Sequence, residues 1–571
     1  MSEILLEFKD FGFQYNAQSK PTLYDINLTV RKGEKILIAG PSGCGKSTLV
    51  HCINGLIPFS YKGSMTGSLT IAGRESKDMS LFEISKHVGT VLQDSDSQFV
   101  GLTVAEDIAF ALENDCVEEP ELHDRVKKVA KLVNIQDFLS HAPGELSGGQ
   151  KQRVSLAGVM VDNVEVLLFD EPLANLDPAT GKQAIELIDE MQKKTGAAVI
   201  IIEHRLEDVL HRDVDRIVLM NEGRILADLA PDELLSSDLL EKNGIREPLY
   251  ITALKYAGVA ITPDKLPHSI RTIKLDDGDI ELVKKWFVST PSRPKVTGRA
   301  KLLDALQVRF SYDNGHEALQ DISLDIKEGE MIAIVGTNGA GKSTFSKVVC
   351  GFEKEQFGTL SFRGQNLDKL SIKERADHIG YVMQNPNQMI SKVMITDEVG
   401  LGLATRGVSE EDAKPRIEKA LRICGLWPFR NWPISALSFG QKKRVTIASI
   451  LALDPEMIIL DEPTAGQDYR HYTDIMEFLT ELNRSGITIV MITHDMHLML
   501  EYAERSVVFS EGHVIADDTC AKILTSPDII EKASLKETSL YNLALMCGFK
   551  EPDEFVQRFI DYEKTEVRAH E

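Results

Sequence analysis

Two glycine-rich segments of identical spacing constrain the fold of this chain more than any other feature of its sequence. They are Gly40-Pro-Ser-Gly-Cys-Gly-Lys-Ser47 and Gly336-Thr-Asn-Gly-Ala-Gly-Lys-Ser343. Each follows a short apolar run that is typical of a buried parallel strand, and each precedes a stretch that can begin a helix. In that setting the pattern GxxxxGK[ST] is a phosphate-binding loop, whose backbone N–H groups and helix N-terminus point at negative charge. The sequence therefore predicts two sites for nucleoside triphosphates.

Each phosphate-binding loop, with the threonine after it, supplies a set of predicted nucleotide contacts. The set is Gly40, Pro41, Ser42, Gly43, Cys44, Gly45, Lys46, Ser47, Thr48, Gly336, Thr337, Asn338, Gly339, Ala340, Gly341, Lys342, Ser343 and Thr344. The two lysines would reach the outer phosphates. The hydroxyl groups of Ser47 and Ser343 would bind Mg²⁺, which is the metal expected beside the phosphates.

Size and composition exclude several classes of protein. At 571 residues the chain is too long for one hydrophobic core, so two or more domains are expected. A net charge of −23 argues against nucleic acid as the main ligand, because clustered Lys and Arg bind phosphate backbones. The sequence has neither the roughly 18-residue apolar run of a membrane helix nor a signal peptide, so any membrane role is expected to be peripheral. The seven scattered cysteines indicate a reducing compartment.

The second half of the chain repeats the first. Lys46 and Lys342 lie 296 residues apart, and the later motifs recur at separations of 290 or 291 residues. Such constancy indicates that a whole domain is duplicated. The predicted division is 1–240 for the first domain, 241–300 for a helical extension and linker, 301–525 for the second domain, and 526–571 for a C-terminal helical extension. Four prolines between 261 and 300 leave open whether that connector is ordered or a surface linker.

Within each half, short apolar strands alternate with helical patterns. The runs Val166-Leu-Leu-Phe169, Ala198-Val-Ile-Ile-Ile202 and Met457-Ile-Ile-Leu460 have no alternating polar residues. This pattern is typical of parallel strands that are buried on both faces. We therefore predict an α/β fold in each half, with a mostly parallel sheet and a helical segment inserted near 104–141 and 396–432.

Four further motifs follow each loop in the same order. They are a glutamine after a strand-like run (Gln93, Gln384), then Leu146-Ser-Gly-Gly-Gln150 and Leu437-Ser-Phe-Gly-Gln441, then Asp170-Glu171-Pro172 and Asp461-Glu462-Pro463, and last His204 and His494. In this order the motifs resemble those of ATP-binding-cassette (ABC) ATPases, and the resemblance covers nearly the whole chain. The Leu-Ser-x-Gly-Gln segment, the signature of that family, is its specific element.

The chemistry of these residues and the resemblance together imply hydrolysis of ATP with Mg²⁺. The predicted catalytic residues are Glu171, Glu462, His204, His494, Gln93 and Gln384, and the predicted Mg²⁺ ligands are Ser47, Gln93, Asp170, Ser343, Gln384 and Asp461. A carboxylate one residue after a strand can polarise the attacking water, while the aspartate before it holds the metal. The histidines would contact the γ-phosphate. Each residue type alone has a structural alternative, such as capping a turn, but the matching register of the two halves favours function.

In ABC ATPases two domains enclose two ATP molecules, and each phosphate-binding loop faces the signature segment of the other domain. The resemblance implies an intramolecular pseudo-dimer in which six signature residues act on the ATP of the opposite half: Ser147, Gly149, Gln150, Ser438, Gly440 and Gln441. The loops Asn175-Leu-Asp177 and Gly466-Gln-Asp468 would couple the two sites. The chain departs from the family at Phe439, where glycine is usual, and a positive φ there would strain a bulky residue.

Two tyrosines near the start of each half are further candidates for nucleotide binding. In the family an aromatic side chain stacks on adenine near this position, and Tyr15 and Tyr312 match it. Packing in the core is the alternative for both.

The residues after each glutamine narrow the resemblance. Gln93-Asp-Ser-Asp-Ser-Gln98, with Leu102-Thr-Val104, and Gln384-Asn-Pro-Asn-Gln388 are similar to the ATPases of energy-coupling-factor (ECF) importers, in their duplicated form for thiamine or its hydroxymethylpyrimidine precursor. This similarity implies two partners, a transmembrane scaffold subunit and a small substrate-binding membrane subunit. It also implies a peripheral position on the cytoplasmic face of the cell membrane, and no nucleic acid partner.

Three alternatives stay open on the sequence. A soluble tandem ABC protein that acts on ribosomes would favour a long charged linker and a basic surface, whereas this chain is acidic. A fused monosaccharide-importer ATPase often has one half with degraded catalytic residues, and here both halves keep Glu and His. A clamp that binds ATP without turnover is disfavoured by Glu171 and Glu462. The transported substrate is not encoded, because another polypeptide would recognise it.

Overall fold

The structure of this chain is a computed structural model that describes residues 3–92, 98–146, 148–173, 176–292, 298–313, 315–464, 467 and 469–567. The backbone divides into two compact units, Met1–Val283 and Lys284–Glu571. Each unit contains a six-stranded sheet, a four-stranded antiparallel sheet and helices, in the same order along the chain. The predicted α/β fold with mostly parallel sheets is confirmed in both.

The six-stranded sheet of the first unit is parallel except for one edge strand. Its strands, in spatial order, are Arg224–Leu229, Arg216–Asn221, Lys35–Ala39, Ala198–Ile202, Val166–Asp170 and Val88–Val91. The edge strand Arg224–Leu229 runs antiparallel to its neighbour. Every residue of Lys35–Ala39 and Ala198–Ile202 is buried, which is the pattern of central strands with both faces covered.

The six-stranded sheet of the second unit has the same topology. Its strands, in spatial order, are Ile379–Val382, Met457–Asp461, Thr488–Ile492, Met331–Gly336, Arg505–Ser510 and His513–Asp518. Ile492 pairs with Ile334 on one side and with Asp461 on the other, so the carboxyl ends of three central strands meet at one edge. Ligands of open α/β sheets bind at that edge.

A smaller antiparallel sheet packs on each large one. Its strands are Leu23–Arg31, Ile4–Tyr15, Gly63–Ile71 and Arg74–Glu75 in the first unit, and Glu317–Lys327, Lys301–Ser311, Phe357–Phe362 and Gln365–Asn366 in the second. In the first unit, Phe8 and Phe13 of this sheet share one buried cluster with Ile36 of the large sheet and with Leu49 of the helix that follows the phosphate-binding loop. The loop is therefore fixed between two packed layers.

The helices cover the large sheets and extend beyond them. In the first unit they are Lys46–Ile53, Leu56–Phe59, Leu81–Ser85, Val104–Asn114, Glu119–Leu132, Gly148–Met160, Pro178–Thr195, Leu206–Val209, Pro231–Leu235, Leu239–Lys242 and Leu249–Tyr256. In the second they are Lys342–Cys350, Ile372–Arg375, Ile395–Thr405, Glu410–Ile423, Phe439–Leu451, Tyr469–Arg484, Met496–Tyr502, Cys520–Ile523, Pro527–Lys532, Ser539–Met546 and Pro552–Tyr562, followed by a π-helical turn, Glu563–Val567. Among the described helices, none combines the length and the apolar character that crossing a bilayer requires.

The connector 261–300, for which the sequence did not decide between an ordered segment and a linker, contains a further helix, Asp277–Ser289. The division between the two units falls within this helix. On the side of the first unit, Asp279 pairs with Lys265 at 2.7 Å. On the side of the second unit, the rings of Trp286 and Phe555 lie 5.8 Å apart. The described part of the connector is thus folded, and residues 293–297 lie outside the described part.

One glycine at the start of the second phosphate-binding loop yields a stability prediction. Gly336 has a φ of 139°, and a Cβ atom there would lie 1.9 Å from the carbonyl oxygen of Phe509. We expect Gly336→Ala to lower the free energy of unfolding by about 2 kcal/mol or more, since overpacking alone costs about 1–3 kcal/mol. Tryptophan fluorescence measures this change selectively, because all 3 tryptophans belong to the second unit.

Gly364→Ala is the matched control. Gly364 also has a positive φ, of 77°, but a Cβ atom there would meet no other atom within 4 Å. The control therefore adds backbone strain without a clash and should cost less. Equal losses of stability in the two variants would contradict the prediction.

Candidate active sites

The first phosphate-binding loop joins the buried strand Lys35–Ala39 to the helix Lys46–Ile53. Lys46 is buried, and its ammonium group donates to the carbonyl oxygens of Gly40 at 2.7 Å and Pro41 at 2.9 Å. The cation is therefore folded back onto its own loop, where phosphate oxygens can replace the two carbonyl groups.

The second loop has the same geometry. Lys342 is buried, and its ammonium group donates to the carbonyl oxygens of Gly336 at 2.8 Å and Thr337 at 2.7 Å. Most other loop residues also match in exposure between the units: Ser42, Gly43, Asn338 and Gly339 are exposed, whereas Cys44, Gly45, Thr48, Ala340, Gly341 and Thr344 are buried. The two serines differ, because Ser47 is exposed and Ser343 is half-buried. Both loops thus present a backbone tip to solvent and keep a lysine beneath it.

In the second unit, two predicted Mg²⁺ ligands are in contact beside the phosphate-binding loop. Asp461 is the last residue of its strand, and its carboxylate accepts hydrogen bonds from the hydroxyl groups of Ser343 and Tyr381, both at 3.1 Å. Asp170 ends the corresponding strand of the first unit, whose loop carries Ser47. Carboxylate and hydroxyl oxygens are ligands that Mg²⁺ accepts, so this donor set fits the metal.

The two glutamates that follow these aspartates share a strained backbone. Glu171 and Glu462 have φ values of 50° and 46°, in the left-handed region that favours glycine. Their amide groups donate at 2.9 Å to the carbonyl oxygens of Ile202 and Ile492, at the ends of the neighbouring strands. Such conformations cost free energy and cluster at functional sites. The strain therefore agrees with the catalytic role predicted for both residues.

Each glutamate faces the predicted histidine of its own unit. The Nε2 atom of His204 lies 2.9 Å from Oε1 of Glu171, and that of His494 lies 3.5 Å from Oε1 of Glu462. All four side chains are partly exposed. The pair of the first unit is the tighter, and in the second unit the Oε1 atom of Glu462 is itself buried.

Burial and neighbouring charges set the pKa values of these acids differently in the two units. Burial, assisted by the charge of Glu171, raises the pKa of Asp170 to about 6. Burial alone would raise the pKa of Glu171. The hydrogen bond from His204 and the charge of His204 have the larger combined effect, so the pKa of Glu171 is lowered. Burial and the charge of Asp461 raise the pKa of Glu462 to about 8. Glu462 therefore takes up a proton more readily than Glu171.

The tyrosines predicted to meet adenine contact the helices that follow the loops. The hydroxyl group of Tyr15 shares a hydrogen bond with that of Thr48 at 3.1 Å, and Tyr312 does the same with Thr344 at 3.0 Å. Each ring also packs edge-to-face on the phenylalanine two residues before it. Both positions are thus tied to the loops, and adenine stacking stays a prediction.

The signature segment of the second unit begins the helix Phe439–Leu451. Ser438 caps this helix, because its hydroxyl group accepts from the amide of Gln441, whose side chain accepts from the amide of Ser438. Phe439 is the exposed first residue of the helix and is not among the residues with positive φ. The strain that glycine would relieve is therefore absent at Phe439. Gly440 lies in the same first turn.

Several predicted residues of the two units lie outside the described part of the chain, and others lie beside its gaps. Gly149 and Gln150 belong to the helix Gly148–Met160. Ser147 and Gln93 lie outside the described residues. The same holds for Asn175, Gly466 and Asp468 of the predicted coupling loops, whereas Asp177 caps the helix Pro178–Thr195. In the second unit, Gln384 is exposed and lies two residues after the strand Ile379–Val382.

Sequence analysis missed a buried lysine of the signature helix, which contacts the turn that carries the predicted base of the second unit. The ammonium group of Lys443 donates to the carbonyl oxygens of Glu462 at 2.6 Å and Gln384 at 3.2 Å. Burial lowers the pKa of Lys443 to about 8. In the first unit Gln152 occupies the corresponding position and donates to the carbonyl of Pro172 at 2.7 Å. One side chain in each unit thus links the signature helix to the turn that carries the glutamate.

Comparisons with known protein families agree with this geometry. Residues 23–174 and 319–465 match the family described as ABC transporter. These stretches contain both loops, both signature segments and both Asp-Glu pairs. Residues 237–310 match a second family, described as ATP-binding cassette cobalt transporter.

Individual relatives extend the similarity to the whole chain. A protein of Clostridium perfringens is 60% identical over 98% of this chain and 98% of its own, and one of Enterococcus faecalis is 56% identical over 100% of both. Both carry the provisional name ABC transporter ATP-binding protein. A solved structure, cbiO1 of Clostridium perfringens, described as part of the ABC transporter complex cbiONQ, aligns with 41% of this chain and 94% of its own at 34% identity, with a TM-score of 0.38. By its family matches and its relatives, this chain belongs to the ATP-binding proteins of ABC transporters, and it is an ATPase with two ABC domains in tandem.

Proposed function

We propose that this ATPase drives a membrane importer of the energy-coupling-factor class, as a peripheral subunit on the cytoplasmic face of the cell membrane. Its partners would be a transmembrane scaffold and a small membrane protein that binds the substrate. The match of residues 237–310 to a transporter family supports this class over a ribosome-associated protein. The observation that carries the proposal is a pair of exposed apolar segments, one in each unit, just after the predicted glutamines.

In the first unit the segment precedes the helix Val104–Asn114. Val100 and Leu102 are 61% and 83% exposed. Their backbone is nevertheless fixed, because the Asp107 carboxylate accepts from the amide of Val100 at 2.9 Å and the Glu106 carboxylate accepts from that of Leu102 at 2.9 Å. A hydrogen-bonded turn thus keeps these two apolar side chains exposed to solvent.

In the second unit the segment precedes the helix Ile395–Thr405. Val393 is 72% exposed, and its carbonyl oxygen accepts from the amide of Ile434 at 2.8 Å. The carboxylate of Glu398 accepts from the amide of Lys392 at 2.7 Å. The arrangement repeats that of the first unit with different residues, which indicates a shared purpose for both surfaces.

Exposed apolar side chains that form a contiguous patch mark a surface that another protein covers. An amphipathic helix can lay its apolar face on such a surface, and burial of about 25 cal/mol per Å² then contributes to binding. We infer that each segment receives a cytoplasmic helix of the transmembrane scaffold. ATP-driven changes in the nearby glutamine segments would reach the membrane through these contacts.

Co-purification tests this assignment. We expect the tagged chain, isolated from detergent-solubilised membranes of its host, to retain one multi-span membrane protein and one small membrane protein. The double variant Leu102→Glu/Val393→Glu should lose both, because each change buries a charge against an apolar helix. Mass spectrometry of the eluate identifies the retained proteins.

A matched double variant controls for surface charge. Val288→Glu/Leu306→Glu places the same charges at exposed apolar positions that belong to neither segment, and should keep the membrane partners. Retention of the partners by Leu102→Glu/Val393→Glu would contradict the docking surface. Recovery of ribosomal proteins without a membrane protein would contradict the importer itself.

The substrate class follows from the resemblance and needs its own test. We propose a vitamin or vitamin precursor, with thiamine or hydroxymethylpyrimidine as the first candidate. Cobalt is the second candidate, because the family matched by residues 237–310 is described as a cobalt transporter. Uptake of labelled thiamine, hydroxymethylpyrimidine and cobalt by cells with and without the chain distinguishes the two. Cobalt uptake that depends on the chain, without vitamin uptake, would replace the first candidate.

Two further parts of the account stay predictions of the resemblance. One is the pairing of each loop with the signature residues of the other half, and the other is the domain division at 240, 300 and 525. The roles given to individual site residues are likewise proposals, supported by the matching geometry of the two units and tested by the substitutions below.

A further inference from the structure

The tripeptide Glu203-His204-Arg205 forms hydrogen bonds to the turn that follows Glu171, the proposed base of the first unit. Glu203 is 3% exposed, and its carboxylate accepts from the amide of Leu173 at 3.3 Å. Arg205 donates from its guanidinium group to the carbonyl oxygen of the same leucine. Both polar groups of the Leu173 backbone are therefore bound by residues that flank His204.

The same carboxylate also fixes the start of the histidine loop. Glu203 accepts from the amide of His204 at 2.9 Å and from that of Arg205 at 3.3 Å, and the guanidinium of Arg205 lies 3.9 Å from the Glu203 carboxylate. Glu203 thus accepts from amides on two separate segments. Because the buried charge has a cationic neighbour and several hydrogen bonds, it can be tolerated in the core.

The second unit is built differently at the matching tripeptide, Thr493-His494-Asp495. Thr493 donates from its hydroxyl group to the carboxylate of Glu462 at 3.4 Å. Asp495 accepts from the amide of His497 at 2.8 Å and caps the helix Met496–Tyr502. The separation between histidine and glutamate differs accordingly, at 3.5 Å in this unit and 2.9 Å in the first.

We propose that Glu203 and Arg205 are positioning residues that clamp His204 against Glu171, a device that the second unit lacks at these positions. The proposal rests on the roles proposed above for Glu171 and His204. The clamp ties the histidine loop to the turn after the glutamate, so the two side chains stay aligned without a nucleotide. Such preorganisation accelerates the chemical step, because misplacing a reacting group by about 1 Å can cost about 10²-fold in rate.

The test isolates the first site in a Glu462→Gln background and measures kcat and KM for ATP. We expect Arg205→Ala to lower kcat at least tenfold with little change in KM, since the clamp aligns catalytic groups and does not bind ATP. Arg205→Lys, which keeps a donor for Leu173, should recover most of the lost kcat. Arg212→Ala is the control, because Arg212 lies seven residues on and pairs with Glu186 at 3.1 Å.

A second variant covers the case in which Arg205→Ala fails to fold because Glu203 is left as a buried charge. Glu203→Thr/Arg205→Asp installs the tripeptide of the second unit, where it occurs in a folded domain, and should show the same loss of kcat. Native kcat in this variant, or equal impairment by Arg205→Lys and Arg205→Ala, would overturn the clamp.

The same background separates failure of the clamp from failure of the site assignment. If Glu171→Gln leaves hydrolysis by the Glu462→Gln chain unchanged, the role of Glu171 is wrong, and the clamp falls with it. If Glu171→Gln abolishes hydrolysis while the clamp variants keep native kcat, the clamp alone is wrong.

Discussion

Replacing Glu171 and Glu462 together with glutamine is expected to lower kcat for ATP hydrolysis by about 10²–10⁴-fold while ATP still binds. A positioned general base contributes about that factor, and glutamine cannot accept the proton of the attacking water. Glutamine has nearly the size and shape of glutamate, so the fold should be undisturbed. Phosphate release at saturating ATP and Mg²⁺ measures the loss, and equilibrium binding measures retained ATP.

Two glutamates at the opposite ends of the same strands provide the control. Glu165 and Glu456 precede the strands that end at the catalytic turns, and they pair with His87 at 2.7 Å and His378 at 3.1 Å. They therefore form glutamate–histidine pairs away from the phosphate-binding loops. Glu165→Gln/Glu456→Gln should hydrolyse ATP at nearly the native rate. Native turnover by Glu171→Gln/Glu462→Gln would show that neither residue is the base.

Replacing Lys46 or Lys342 with alanine is expected to weaken ATP binding at the loop concerned by about 10- to 100-fold. Hydrogen bonds to charged groups are worth about 1.5–3 kcal/mol, and about 1.4 kcal/mol is a factor of ten in Kd. Both ammonium groups are already buried beside their loops, so little order is lost when they bind phosphate. Titration with a fluorescent ATP analogue measures Kd for each variant.

Lys347→Ala is the control for the second loop. Lys347 belongs to the same helix as Lys342, in its last turn, so the change removes an equal charge from one element. Its Kd for ATP should stay within about twofold of the native value, because Lys347 lies more than one helical turn beyond Lys342 and salt weakens the effect of a partly exposed charge. An unchanged Kd in Lys342→Ala would contradict the phosphate contact.

The sequence was most informative where buried strands end in short motifs. Uniform apolar runs such as 198–202 predicted the bounds of the central strands nearly to the residue. A parallel strand covered on both faces buries every consecutive side chain, and this leaves a clear pattern in the sequence. The parallel sheet then explains why motifs far apart in the chain meet at one edge. The hydrogen bond between Ser343 and Asp461 is a direct result of that topology.

The sequence was least informative about contacts that cross between elements. Lys443 lies four residues before the buried Ile447 on the same helix face, which was the available signal, but its two carbonyl partners come from distant segments. Tyr381 gave no signal, since only the folded sheet places its hydroxyl group at Asp461. The difference between Glu203 and Thr493 was visible in the sequence, yet its meaning depends on the backbone of Leu173.

The most direct test of the central claim, that each half of this chain holds its own ATP site, is the number of ATP molecules bound per chain. Equilibrium dialysis of Glu171→Gln/Glu462→Gln with labelled ATP and Mg²⁺ should give two per chain. Adding Lys46→Ala or Lys342→Ala to this double variant should leave one bound ATP per chain at the same ATP concentration. A single bound ATP in Glu171→Gln/Glu462→Gln, unaffected by one of the two lysine substitutions, would contradict the claim.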